Sequence, residues 1–208
     1  MPASRQAERR RAVSDLKRGL ILEAARKVFE ADGLDGASLR SIAAAAGYTP
    51  AALYFHFESK EDIYAETLRE SLAQLGGRIA SAISKTKSPA DRLRAAALAF
   101  FNFYAENPRD LDLGFYLFRG GMKPHGLGRA RNELLNAALK VALFPLYETA
   151  KALGANDKEA KCLMVDTFAH AAGLLLLAHT GRMRMFGISA PDLMAQFVES
   201  RITALQRG

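Results

Sequence analysis

The sequence predicts an all-α protein of about nine helices: an N-terminal three-helix unit containing a helix-turn-helix, followed by a larger helical domain. Three observations carry this. Apolar residues recur at spacings of three and four along nearly the whole chain, and no segment alternates as a strand would. Ser and Thr stand ahead of several helical runs, and Gly or Pro closes them. Half of the 208 residues are apolar and a quarter charged, enough for a sound core and too apolar for a disordered chain.

The pattern is sharpest from Ser38 to Lys60, SLRSIAAAAGYTPAALYFHFESK. Ser38 is suited to cap a helix whose apolar face is Leu39, Ile42, Ala43 and Ala46. Small alanines let a second helix approach closely, and Gly47 supplies the left-handed residue of a helix stop. Thr49-Pro50 restarts a helix by the cap-then-proline pattern. That helix, Pro50 to about His56, is too short to stand alone, and Leu53 and Phe57 brace it from one face. This is the order of a helix-turn-helix, whose second helix enters a major groove.

Ahead of it, residues 1 to about 16 are polar and basic and read as a flexible arm, either touching phosphates or simply solvated. Helix 1 is expected from about Ser14 to Ala31, stopped at Asp32-Gly33. After it, Ser59 is suited to cap a long fourth helix with Glu61 and Asp62 in its first turn, where acids suit the helix dipole. Lys60 does not suit that position and points to an anion nearby. Gly76-Gly77 predicts a weak point near the middle of this helix.

Ser88-Pro89 opens helix 5, which ends at Asn107-Pro108; Leu111 to Met122 is expected as helix 6, and the glycines from Gly120 to Gly128 as a mobile loop. Helix 7, about Gly128 to Leu153, contains Pro145 and should kink there, freeing a carbonyl near Val141. Helix 8, Asp157 to His179, is apolar nearly all round and is expected to be buried on all sides, with Cys162 an inert core thiol. Its most apolar run, Ala169 to Ala178, is expected to be too short to span a membrane. Helix 9 is expected from about Ala190 to Leu205.

The run from Leu39 through Gly47, Thr49-Pro50, Leu53-Tyr54 and His56-Phe57 to Ser59-Lys60-Glu61 resembles the TetR family of bacterial transcriptional regulators. Tyr48 departs from it, since the family usually has a smaller aliphatic residue there. The resemblance implies a DNA-binding part over 1–59 with its basic arm and an effector-binding, dimerising part over 60–208. With the geometry of the short helix, it implies that Tyr54 and Lys60 hold phosphates, helped by Ser38, Thr49 and His56. Ala51 and Ala52 then face base edges or thymine methyls, with Tyr48 reaching the same region. Dense aromatics suggest either ordinary core or an apolar ligand cavity; the family resemblance favours a cavity lined by Phe100, Phe101, Tyr104, Tyr116, Phe144 and Tyr147, with Asp166 and His170 as polar anchors. Helices 8 and 9 carry more apolar surface than one core needs, which places a homodimer interface at Leu175, Leu176, Leu193, Phe197 and Val198.

The net charge of +7 favours polyanionic partners. A single cysteine excludes an internal disulfide and fits a reducing cytoplasm. No nucleophile motif, phosphate-binding loop, or paired His motif is present, so neither an enzyme, a cofactor nor a metal site is expected. The expected partners are an operator duplex, a small-molecule effector and a second copy of the chain, with no membrane. A helical small-molecule carrier without a DNA role is the alternative.

Overall fold

The computed structural model describes residues 5–114 and 127–207, and within these every regular element is helical. They are α1 (Arg5–Gly36), α2 (Leu39–Ala46), α3 (Pro50–Tyr54), α4 (Lys60–Ser84), α5 (Pro89–Glu106), α6 (Pro108–Gly114), α7 (Arg129–Ala152), α8 (Asp157–His179), a short 3-10 helix (Arg182–Phe186) and α9 (Ala190–Arg207). The chain divides into two compact units, residues 1–70 with 112–135, and residues 71–111 with 136–208. Helices α4 and α7 each contribute to both.

In the first unit, α1 packs on α2 and α2 on α3 around Ile21, Leu22, Ala25, Phe29, Ile42, Ala43 and Leu53. Phe29 meets Tyr64 edge to face at 4.8 Å, and the Tyr64 hydroxyl donates to the Leu113 carbonyl at 2.7 Å. Gly33, at φ 69°, breaks α1 where a stop was expected, and one further turn follows. At its other end α1 differs from expectation. It is helical from Arg5, so the described part of the arm is a helix rather than a flexible tail.

The second unit is built on α5, α8 and α9, which pack on one another. Its core includes Leu75, Ile79, Leu93, Phe100, Phe101, Leu146, Leu175, Met194 and Val198. Arg94 on α5 pairs with Glu199 on α9, its Nη2 2.9 Å from the carboxylate. α4 runs unbroken through Gly76-Gly77. A Cβ on Gly76 would lie 3.9 Å from the Ala142 Cα, an ordinary van der Waals contact, so an alanine would fit there. α7 is likewise continuous through Pro145. Val141, whose carbonyl loses its helical donor to the proline, is 75% exposed, so water can take that bond.

One expectation about α8 is corrected. It is not buried on all sides: Val165 is 57% and Leu176 61% exposed, and Cys162 is exposed too. The whole 23-residue helix, unlike the shorter run Ala169 to Ala178 within it, is long and apolar enough to cross a membrane by length and composition alone. The exposure has a simple physical reason. An apolar stripe runs along one side of a helix whose other side already packs on α5 and α9.

Candidate nucleic-acid interface

The turn between α2 and α3 is fixed by its caps. The Ser38 hydroxyl accepts from the Ser41 N–H at 3.0 Å, and the Ser41 hydroxyl oxygen accepts from the Ser38 N–H at 3.0 Å, a reciprocal capping box. Gly47 closes α2 at φ 73°, with its N–H on the Ala44 carbonyl and the Tyr48 N–H on the Ala43 carbonyl at 2.9 Å. The Thr49 hydroxyl then accepts from the Ala52 N–H at 3.3 Å and starts α3. Leu53, fully buried, and Phe57, 4% exposed, pin the short helix to the core. What remains outside is Ala51, Tyr54 at 61% and Phe55 at 87%, with Tyr48, Ala52 and His56 half-buried beside them.

Arg18 of α1 braces the far end of this element. Its guanidinium lies 4.6 Å over the Phe57 ring, donates to the His56 carbonyl at 3.4 Å and pairs with Glu66 at 3.0 Å. Glu66 also accepts from Arg69 at 2.7 Å. The Arg69 hydrogen bonds, with those of Arg18, hold the Glu66 carboxyl at about 2, against the opposing effect of its partial burial.

Lys60 is where the structure departs most from expectation. Its ammonium donates to the carbonyls of Leu34, Asp35 and Ala37 at 2.8, 3.3 and 3.1 Å. All three of its hydrogens are directed at the orphan carbonyls that end α1. Lys60 therefore caps α1 from another element and is not displayed to a phosphate. The other expected contacts, Ser38, Tyr48, Thr49, Ala51, Ala52, Tyr54 and His56, are brought together on one side of the turn. Phe55, which the inward turn of Leu53 and Phe57 leaves on an outward face with Tyr54, was not among the expected contacts, yet it is the more exposed of the two.

In the second unit the expected ligand set separates. Phe100, Phe101 and Tyr104 are all buried, and Phe100 lies edge to face with Tyr104 at 5.3 Å and with Phe168 at 5.9 Å. Burial pushes the Tyr104 hydroxyl well above its ordinary value. Phe144 and Tyr147 do not join them. Phe144 is 46% exposed and stacked on Tyr147, whose hydroxyl donates to Asp157. Asp166 is exposed and paired with Arg201 at 3.3 Å, and His170 stacks on Phe197 at 4.2 Å. The stripe on which sequence reasoning relied does not tell the inner from the outer side of a helix. Tyr116 lies outside the described residues. Among the described residues no group of three His, Cys, Asp or Glu side chains is placed to hold a metal ion.

Of the expected dimer residues, Leu175 and Val198 are 0% and 2% exposed within the single chain. They are core, with no surface left for a partner to cover. Leu176 is exposed, and Leu193 and Phe197 are half-buried.

Residues 21–67 match the model for bacterial regulatory proteins of the tetR family. The chain is 34% identical over 114 residues to the transcriptional activator FasR of Mycolicibacterium smegmatis, covering 55% of this chain and 52% of that one. It is 38% identical over 85 residues to the transcriptional repressor KstR2 of Mycobacterium tuberculosis, covering 41% and 42%. The alignments thus span about half the length of these curated relatives or less. Among solved structures, a chain described as a transcriptional regulator of Pseudomonas aeruginosa PAO1 superposes with a TM-score of 0.76 at 21% identity, over 94% of this chain and 92% of that one. FadR of Bacillus subtilis, solved with stearoyl-CoA, gives 0.69 at 18% identity over 88% and 96%. The helix-turn-helix thus lies within a region that matches the tetR family, and the helical fold is shared with these solved structures along nearly the full length of the chain.

Proposed function

We propose that the protein is a sequence-specific, DNA-binding transcriptional regulator, and a repressor released from a near-palindromic operator by a small, largely apolar ligand. The carrying observation is α3: a helix too short to be stable alone, capped at Thr49, pinned by Leu53 and Phe57, and presenting Ala51, Tyr54 and Phe55 to solvent. A protein that exposes two aromatics on so rigidly held a turn is built to place them against another molecule, and a basic chain favours DNA. Tyr54, Thr49, Ser38 and His56 serve phosphates; Ala51, Ala52, Tyr48 and Phe55 serve base edges.

Residues 1–59 carry this role and 60–208 carry effector binding and dimerisation, in the cytoplasm. The exposed stripe of α8 supports a two-fold interface that sets two copies of α3 on successive grooves. The buried aromatics Phe100, Phe101 and Tyr104 support an apolar effector. Since a protein of this fold was solved with stearoyl-CoA, long-chain acyl-CoA is the first ligand to titrate.

The test is selection of duplexes from a random library by the full chain, followed by footprinting of the enriched sequence with and without acyl-CoA. A saturable, near-palindromic footprint is expected. Enrichment of no duplex would overturn the regulator reading in favour of a ligand carrier.

A further inference from the structure

The N-terminal part of α1 makes a second wall beside α3. From Arg5 to Leu20 no residue is buried, yet the segment holds helical form, about 24 Å of it at the usual rise. Residues 5–18 carry six cations, Arg5, Arg9, Arg10, Arg11, Lys17 and Arg18, against Glu8 and Asp15. Arg18 is engaged with Glu66, whereas among the described residues Arg9, Arg10, Arg11 and Lys17 have no ion-pair partner. A groove of about 390 Å³ lies between this segment and α3, with Arg10, Val13 and Lys17 on one wall and Tyr48, Phe55 and His56 on the other.

We infer that this groove takes one sugar–phosphate strand of the duplex that α3 reads. The inference rests on the DNA-binding reading and adds a contact outside the helix-turn-helix. Charge and shape decide the occupant. Arg10 and Lys17, seven residues apart, fall on the same side of the helix about 10 Å apart along its axis, suited to bridge phosphates along a strand. Between them, Val13 and Phe55 line the groove with apolar surface, which suits the deoxyribose that separates successive phosphates. The groove is also continuous with the exposed face of α3, so a duplex seated on that helix brings a strand to it. Arg9 and Arg11 do not line it; they lie about 100° to either side of Arg10.

That difference in placement provides the test. Two double variants remove equal charge: Arg10→Ala with Lys17→Ala, and Arg9→Ala with Arg11→Ala. Each is compared with the unaltered full chain on the duplex enriched by selection, measuring affinity against salt and hydroxyl-radical protection. Loss of the groove pair should lower the salt slope by about 1.8 per bound chain and erase protection at the flank of the footprint. Loss of the other pair should leave the flanking protection in place and lower the slope by less than half as much. Equal effects of the two pairs would mean diffuse attraction and overturn the groove, as would no effect of either. Failure to enrich any duplex overturns the regulator reading first, and so separates the two failures. Circular dichroism of both variants checks that α1 keeps its helix; an unfolded arm only in the Arg10/Lys17 variant, with flanking protection restored by Arg10→Lys with Lys17→Arg, still supports the contact, and its absence there overturns it.

Discussion

Replacing Lys60 by alanine should destabilise the N-terminal unit and leave the salt dependence of DNA binding unchanged. Its ammonium makes three charge-assisted bonds to the carbonyls that end α1, on a half-buried side chain. Bonds to charged groups contribute about 1.5–3 kcal/mol each when measured singly. Here one ammonium serves all three, and water replaces it at the more open carbonyls once it is gone. The net loss is therefore about 2 kcal/mol, which at a urea dependence of about 2 kcal/mol per molar is a shift of about 1 M in midpoint. Lys60→Met keeps the aliphatic stem and loses the donors, so it should fall nearly as far. The assay is urea unfolding followed by helical signal, paired with operator affinity across a salt series. A slope that drops by about one unit with an unmoved midpoint would falsify the capping role and return Lys60 to the phosphate backbone.

Glu66 sets a pH dependence. Its carboxyl is held at about 2 by Arg69 and Arg18, below its ordinary 4.5, so its contribution to stability is complete above pH 4.5 and is lost as pH falls toward 2. The gap in urea midpoint between wild type and Glu66→Gln should close over that range; a constant gap refutes the assignment. Leu176→Asp with Val165→Asp should give folded monomers in sedimentation, because both residues are exposed in the single chain. Val198→Asp should instead prevent folding of the second unit, so a folded Val198→Asp monomer would refute the core placement. Phe101→Ala, at 1% exposure, should lower stability by about 3–5 kcal/mol, read from thermal unfolding. Less than 1 kcal/mol would mean that Phe101 already borders a cavity.

Local rules made the helix-turn-helix legible. Its caps, its glycine stop and its inward pair at Leu53 and Phe57 all act within four residues of one another. Lys60 was misjudged because its partners stand 23 to 26 residues earlier in the chain. A cation at a helix start looks misplaced until another helix end is brought to it by tertiary structure. The arm was expected to be flexible because it has no apolar stripe. Its arginines, alanines and glutamate are good helix formers, however, and extension of a helix already nucleated by α1's buried half needs little further stabilisation. α8 failed for a different reason: hydropathy marks a surface that avoids water without saying whether its own chain or a second one covers it. The same ambiguity split the ligand set, whose aromatics lie on both buried and exposed sides.

A salt bridge in the first unit bears on how an effector signal reaches α3. α4 and α7 each run from one unit into the other, and near their first-unit ends Asp62 and Arg131 pair at 2.5 Å. Asp62 also accepts from the Glu58 N–H at 3.1 Å, and Arg131 donates to the Leu127 carbonyl, so the pair joins the start of α4 to the segment that begins α7. If ligand binding changes the second unit, both helices carry the change, and this pair makes their ends move together. A partly exposed ion pair contributes about 0.2–1 kcal/mol, so its loss can alter the coupling between effector and DNA by no more than about fivefold. Arg131→Gln should therefore leave affinity for the operator without ligand within a factor of two, and reduce by about two- to fivefold the ratio by which a bound effector weakens it. Asp62→Asn should do the same, and the two together no more than either alone. Additive losses in this cycle would mean that each residue acts through its own backbone partner, and the pair would not be the link.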